Sequence, residues 1–455
     1  LRRLAGARRA GEPDATGIDE ELSSTIGWDG LGAVHSQVSL VLDIAGTYQC
    51  GAGEPPALRL WCGEPWRSLH AVDAEILAGG RLTVPLSVVK ESSERILMLE
   101  SVEVAIDPAS WSRTLDAILW RAAVLLPRVL ERIADDRATA SPAMAVDMTP
   151  LLRQRRHAAR AASSRSAMLA RSAGRSAYYR IVDERWGIAL QRADAGLPDT
   201  DGLRHADSCW IEADGQLADP MLVTTGGDTY LFAERFDHGL RGEIVAGRIA
   251  ADGSVPNLRR VLARTHHLSY PQVFEDGGEI WMVPEMAEAG TVELLRADHF
   301  PDRWSTAATL LSGVRAYDAT IHRGPDAYWM WAAVAAHGAS RNAELWLYHA
   351  PSLAGPWTSH KHNPVVTDPR RARPAGSILE VDGRIYRFSQ DGLRRYGHRM
   401  AISEVVELSA DRYAEKLIRI IEPSWAKGLI ATHTFSRSGS WQALDGLRRR
   451  PRCRV

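Results

Sequence analysis

The chain has 455 residues, 45% of them hydrophobic and 24% charged, with 55 Lys+Arg against 56 Asp+Glu. That length excludes a single small module, the composition excludes a chain disordered throughout, and the cancelling charges exclude a global attraction for nucleic acid or an anionic membrane. No apolar run reaches the roughly 18 residues of a membrane helix, and Ala122 to Leu130 is interrupted by Pro127 and Arg128, so no transmembrane segment is expected.

Residues 1–135 read as an α/β domain. Val38 to Ile44 is a short continuous apolar run, the pattern of a central strand buried on both faces. Leu82 to Val89 and Ile96 to Ile106, separated by a charged turn, predict a hairpin. Asp107-Pro108 supplies a helix cap and first turn, and Leu115, Ile118, Leu119, Ala122, Leu126, Val129 and Ile133 recur at helical spacing, which predicts a long helix packed on that sheet. Residues 136–180, rich in Ala, Ser and Arg, predict a partly helical, solvated linker.

Residues 181–455 carry a repeated hairpin. Asp219 lies eleven residues before Tyr230, Tyr270 eleven before Trp281, Asp318 eleven before Trp329 and Ala375 eleven before Tyr386, each pair spanning a Gly/Asp turn. A degenerate fifth copy runs from His433 through Ser438-Gly439 to Trp441, and successive aromatics are 51, 48, 57 and 55 residues apart. That period suits four-stranded propeller blades, with Gly242 to Ile249, Thr291 to Arg296, Glu344 to His349 and Met400 to Leu408 as outer strands. The predicted fold class is therefore mainly β: a five-bladed β-propeller with an N-terminal α/β domain and a helical linker.

Each blade's innermost strand lines the axis, so polar residues opening those strands are candidates for a shared cavity. They are Asp219, Tyr270, Asp318, Arg373 just ahead of Ala375, and His433. Four residues past the turn aromatics stand Glu234, Glu285, Ala333 and Gln390. Paired carboxylates across a cavity suit glycosidic-bond chemistry, one as acid and one as base or nucleophile. On that reading Asp219, Asp318 and Glu285 are catalytic, while Glu234, Tyr270, Arg373, Gln390 and His433 bind substrate. The same side chains equally suit a structural role, satisfying backbone N–H groups or pairing with Arg373. Trp281, Trp329, Trp331, Tyr317, Tyr270 and Tyr386 suit either sugar stacking or the core. The adjacent His266-His267 points to opposite faces, and Cys50, Cys62, Cys209 and Cys453 are scattered, so neither a metal nor a cofactor is expected. Unpaired cysteines and the lack of an apolar leader suggest a reduced, cytoplasmic setting.

The segment from Ala218-Asp219-Pro220 to Tyr230-Leu231-Phe232 resembles the first blade of the arabinanase, levansucrase and invertase propellers. That resemblance implies that Asp219 is the catalytic base. His267 to Pro271, Val273 to Asp276, Ala354 to Trp357, Asn363 to Val365, Ala372 to Gly376 and Gln390-Asp391 resemble the N-terminal domain of the glucosamine inositolphosphorylceramide transferases over roughly residues 205–440. Where those glycosidases carry an acid in the second blade this chain has Tyr270, and where they carry Glu in the third it has Asp318. Val41 to Asp43, Trp61 to Glu64 and Ser112 to Pro127 resemble a formyltransferase-like domain, with Cys62-Gly63-Glu64 where His-Gly-Asp is usual. The resemblances imply a glycan or activated sugar in the channel, with transfer or hydrolysis. The alternatives are a non-catalytic scaffold assembled with polysaccharide or glycolipid biosynthesis proteins, and formyl transfer by the first domain.

Overall fold

The computed structural model describes residues 41–43, 57–62, 67–68, 83–91, 96–106, 111–134 and 182–451, the last span without 195, 212, 238–239 and 337–340. The chain divides into two compact units near residue 179. The expected linker at 136–180 and the Asp107-Pro108 cap lie outside the described residues.

In the first unit, β1 (Val41–Asp43), β2 (Ala57–Cys62), β3 (Arg67–Ser68), β4 (Thr83–Glu91) and β5 (Ile96–Ala105) precede α1 (Trp111–Ala134). The predicted hairpin is β4–β5, and Ile118, Leu125 and Val129 of α1 join Leu58, Leu86 and Val104 in one core. The apolar run at Val38–Ile44 is not central among the described strands. The order is β1-β2-β4-β5, with β1 at one end and parallel to β2. The strand beside it was hidden because Arg59 interrupts its apolar run. Its guanidinium lies 3.1 Å from the Glu91 carboxylate, so the strand tolerates the charge. Cys62 is buried in this core and unbridged.

The second unit begins with β6 (Val182–Arg192), the short helix α2 (Thr200–His205) and β7 (Cys209–Trp210). Three four-stranded antiparallel sheets follow in sequence. The first is β8 (Gln216–Thr225), β9 (Asp228–Phe236), β10 (Glu243–Arg248) and β11 (Arg259–Leu262). The second is β12 (Ser269–Asp276), β13 (Glu279–Glu285), β14 (Thr291–His299) and β15 (Arg303–Ser312). The third is β16 (Ala316–Arg323), β17 (Tyr328–Val334), β18 (Leu345–Ala350) and β19 (Thr358–Ser359). A fourth sheet comprises β20 (Leu379–Val381), β21 (Arg384–Asp391), β22 (Arg399–Leu408) and β23 (Tyr413–Ile421). The last holds β24 (Leu429–Ala431), β25 (Phe435–Ser438) and β26 (Trp441–Pro451). It is completed by the first strand of the unit, since β6 pairs with β26 from Val182↔Pro451 to Arg192↔Trp441.

Each predicted hairpin is thus the inner pair of one sheet. Apolar side chains fill the seams between successive sheets: Phe232 with Tyr270 and Met282, Val283 with Ile321 and Met330, Trp331 with Ala372, Phe388 with Phe435. Another seam joins Ile188, Leu190 and Ala443 of the last sheet to Leu222 and Leu231 of the first. Because a sheet in this ring buries both faces, alternation is weak and the strands read as nearly continuous apolar runs. Trp329 and Trp331 belong to the third seam, which places them in the core.

Candidate functional site

The repeated strand-opening position has a backbone cause. Opposite β9, Ala218 pairs with Glu234 and the next partners are Met221 and Phe232, so β8 carries one extra residue. Identical register shifts fall between Ser269 and Gln272 on β12 and between Tyr317 and Thr320 on β16. At each bulge the opening residue takes a left-handed conformation: φ is 52° at Asp219, 44° at Tyr270 and 53° at Asp318. A bulge re-aims a side chain that regular pleating would send into a seam. The fourth sheet uses Gly376 instead, at φ 126°, where a Cβ would collide with the Phe435 carbonyl oxygen.

All eight predicted site residues are buried and come together at this end of the inner strands. Asp318 receives the Arg373 guanidinium on two prongs, Nε to Oδ2 at 2.5 Å and Nη2 to Oδ1 at 3.1 Å, and Gln390 Nε2 donates to the same Oδ2 at 2.9 Å. Arg373 stacks beside Tyr317 and Tyr396, with Glu285 3.8 Å away. Burial, reinforced by the Asp318 charge, pushes the Glu285 carboxyl up from its ordinary range. Glu234 accepts from His267 Nε2 at 3.0 Å, while His267 Nδ1 accepts the Gly242 amide at 2.9 Å. This second contact explains why the histidine pair does not act together: His267 closes the seam between the first two sheets.

Asp219 is organised differently. Its Oδ1 accepts from Thr434 Oγ1 at 2.7 Å and faces His433 Nε2 at 3.8 Å. Burial pushes its carboxyl up to about 7, with His433 opposing the shift and Asp318, Glu234 and Asp445 adding to it. His433 is held up to about 9: burial, its largest single influence, pulls it down, but Asp445 and Asp219 outweigh that pull. Its ring stacks on Trp186 with centroids 4.2 Å apart. Asp318 is therefore paired with a cation that does not titrate and Asp219 with one that does.

Tyr270 reaches from the second sheet to the third and fourth. Its hydroxyl accepts from Gly376 N at 2.7 Å, contacts the Gly376 carbonyl at 3.0 Å and meets Thr320 Oγ1 at 2.9 Å. These bonds tie the second, third and fourth sheets and use the hydroxyl fully, so Tyr270 is placed as a strut.

Sequence reasoning missed Asp445, although the signal was present. Asp445 lies four residues past Trp441, the fifth-repeat counterpart of Glu234, Glu285 and Gln390. Trp186 and Tyr396 gave no such signal, because β6 and the segment after β21 lie outside the repeated hairpins. Among the described residues, Asp219, His433 and Asp445 are the group whose composition and spacing approach a metal site. Both His433 nitrogens already face carboxylates, at 2.5 Å for Asp445 and 3.8 Å for Asp219.

A cavity of about 490 Å³ opens elsewhere, at the hairpin ends of the same inner strands. Thr224, Gln272, Asp276, His322, Ser377 and Ser438 are among its lining residues, and none of the eight predicted residues is. The eight residues of the strand-opening end lie apart from this cavity, several of them bonded to one another. The bulges draw those side chains inward until they satisfy one another, while the glycine turns at the far end leave space. A Cβ at Gly226, Gly227, Gly277 or Gly278 would meet nothing within 4 Å.

A family model described as glucosamine inositolphosphorylceramide transferase 1, N-terminal, matches residues 210–434, which include all eight predicted residues. Glucosamine inositolphosphorylceramide transferase 1 of Arabidopsis thaliana is 35% identical over 204 residues, covering 44% of this chain and 26% of the relative. Its namesake from Oryza sativa subsp. japonica is 30% identical over 204 residues, with 44% and 27% covered. The chain thus spans about a quarter of the length of these relatives. Among solved structures, a β-xylosidase aligns with TM-score 0.38 and 12% identity, over 52% of this chain and 91% of the other. The Cellvibrio cellulosa α-L-arabinanase complexed with arabinohexaose aligns with TM-score 0.35 and 16% identity, over 45% and 78%.

Proposed function

We propose that the five sheets are the blades of a five-bladed β-propeller, and that its strand-opening end is a carbohydrate site in which Asp219 is the proton-bearing group and Asp318 the carboxylate paired with Arg373. The observation that carries this reading is the unequal pairing of two buried aspartates. Asp318 faces the permanently charged Arg373, whereas burial holds Asp219 near 7, where a carboxyl both gives and takes protons at neutral pH. The name shared by the relatives specifies glucosamine, which makes an amino sugar or its activated form the first ligand class to try. Such a ligand has the carboxyls of Asp219 and Glu285 as its candidate polar partners, Asp318 being already paired with Arg373. Glu285, with its carboxyl pushed up, is the second acid of the site.

A second reading, a non-catalytic module in glycolipid or polysaccharide assembly, is favoured by one observation. Asp219, Asp318, Arg373 and Gln390 are each at most 3% exposed and bonded within the protein. The remaining alternative, formyl transfer by the first unit, draws little from Cys62, which is buried in an apolar core, while Glu64 lies outside the described residues.

The test is thermal unfolding of the wild type and of Asp219→Asn with glucosamine, nucleotide sugars and oligosaccharides. A ligand at a hundred times its Kd stabilises by about 2.7 kcal/mol through mass action, a shift of several degrees. The carbohydrate reading expects one sugar class to raise the wild-type midpoint and Asp219→Asn to weaken that response. If no sugar moves either protein, the non-catalytic reading replaces it.

A further inference from the structure

We propose that the cavity at the hairpin ends is a second ligand site, built to hold an uncharged pyranose ring through backbone groups that the inner strands leave unpaired. It is separate from the strand-opening end and does not depend on any reaction there.

The cavity of about 490 Å³ falls within the range of small-molecule sites, about 300–1,000 Å³. Its walls include the first strands β8, β12 and β16, Ser377 just ahead of β20, and β25. Because β8, β16 and β25 each pair with one strand only, every second residue turns its N–H and C=O away from its own sheet. Toward the strand-opening end the protein satisfies those groups itself. Gln272 accepts the Ile321 amide and donates to the Ile321 carbonyl, both at 2.7 Å. Ser436 Oγ accepts the Leu222 amide and the Ala375 carbonyl accepts the Phe435 amide, both at 2.9 Å. Those bonds fix the phase of each strand. Two residues nearer the turns, with no register shift between, the same edges are presented by Arg323, Thr224 and Arg437. Among the described residues no group from a neighbouring strand bonds their amides or carbonyls, and all three residues line the cavity.

The side chains decide the charge of the ligand. Arg323 pairs with Asp276 at 3.0 Å, and Tyr328 donates to the other oxygen of that carboxylate at 2.9 Å. Arg437 donates to the Gly196 carbonyl at 2.6 Å and to Gln442 Oε1 at 3.1 Å. With Glu275 the lining holds two arginines against two carboxylates, and burial keeps His322 below its ordinary value, hence neutral at pH 7. The charges cancel, so the lining favours no net charge on a ligand. What it offers are the hydroxyls of Thr224, Ser377 and Ser438 and backbone groups converging from three sheets, beside apolar Leu222, Val273 and Ile378. An extended peptide carries its donors and acceptors along two opposite edges and would pair with one strand. A pyranose carries hydroxyls around its whole rim with C–H faces between, so it uses groups that converge from several directions at once.

The experiment titrates the full chain with methyl glucoside, methyl xyloside and methyl galactoside, followed by saturation-transfer NMR and by amide hydrogen exchange. At least one pyranoside should bind and slow exchange severalfold at Thr224, Arg323 and Arg437, while the amides of Asp219 and Thr434 keep their rates. Ser377→Phe and Ser438→Phe fill the cavity from different sheets and should each raise Kd about tenfold or more, whereas Asp219→Asn should leave it unchanged. The wild-type exchange pattern decides even if neither phenylalanine variant folds. The proposal is overturned if none of the three pyranosides binds, if binding leaves exchange at those three amides unaltered, or if glucuronate or trialanine protects them more strongly at the same concentration. Binding that Asp219→Asn abolishes and the phenylalanine variants do not also overturns it, and supports the carbohydrate reading of the strand-opening end. Binding that only the phenylalanine variants weaken upholds it, whatever the glucosamine and nucleotide-sugar panel gives.

Discussion

At the strand-opening end of the inner strands, Asp219, Asp318, Arg373 and His433 are buried and bonded to one another across sheets. A few residues further along the same strands, Arg323 and Asp276 pair at 3.0 Å with the guanidinium 67% exposed, beside a cavity of about 490 Å³. The contrast teaches that a repeat can encode position without encoding how each position is paired or exposed. Bulges gather side chains at one end and glycine turns remove them at the other, so the conspicuous polar ring and the open space lie apart. If the two ends differ as described, equivalent perturbations must give unequal results.

The largest difference is expected for the arginines. Arg373→Met leaves Asp318 buried without its cation and should cost about 3–5 kcal/mol, since breaking a buried pair strands the remaining charge. Arg323→Met removes an exposed partner and should cost less than about 1 kcal/mol. Urea unfolding midpoints measure both. Equal losses would erase the distinction between the two ends.

Next in size is the pH dependence, which should have opposite signs at the two ends. Asp219 and His433 both sit above their ordinary values, so the native state holds more protons than the unfolded chain and stability falls as pH rises. The Asp219 contribution is lost between about 3.8 and about 7, and that of His433 between about 6.5 and about 9. They are on the order of 4 kcal/mol for Asp219 and 3 kcal/mol for His433, because a tenfold change in a protonation equilibrium is worth about 1.4 kcal/mol. At the hairpin end, burial pushes His322 down against the weaker pull of Glu380, so its contribution is present above 6.5 and lost as pH falls below it. Thermal midpoints from pH 4 to 9.5 should show Asp219→Asn flattening the loss between about 4 and 7, and His322→Gln removing the acid-side loss. A wild-type midpoint that rises from pH 6.5 to 9 would contradict the assignment at the strand-opening end.

Much of this was legible in the sequence because the repeat is one of register. The eleven-residue spacing marked the strand-opening positions that in the first three sheets prove to be bulges, and the four-residue spacing beyond the aromatics marked Glu234, Glu285 and Gln390. Carried one repeat further, the same count reaches Asp445. What stayed hidden depended on contacts between distant segments. Trp186 meets His433 only because β6 completes the last sheet, and which of the acids takes Arg373 is decided by the third and fourth sheets adjoining, so that the pairing with Arg373 the sequence allowed falls on Asp318. The two-faced burial of Ala57–Cys62 was masked by Arg59, whose partner Glu91 sits on another strand. Spacing along the chain states which residues are equivalent. Whether an equivalent residue is exposed, paired or used as a strut is settled by its neighbours in the ring.

Tyr270 is the sharpest case of that rule, and its expected effect is smaller than those of Arg373 and of the Asp219–His433 pair. It occupies the same bulge as Asp219 and Asp318, yet its hydroxyl is committed to Gly376 and Thr320. Tyr270→Phe keeps the ring in the seam between the first two sheets and removes only the oxygen. The Gly376 amide and carbonyl then lose their partner in a buried site, which should cost about 1–3 kcal/mol. Thr320 Oγ1 retains its bond to the Asp318 carbonyl at 3.1 Å, so the third sheet should be spared. Hydrogen exchange at Gly376 and its neighbours should therefore accelerate well beyond the global change, while amides of β16 follow the global change. If Tyr270 instead served the ligand, Tyr270→Phe would leave exchange at Gly376 unaltered and would weaken the response to sugars. The two outcomes separate a strut from a binding group at a position where the repeat treats them alike.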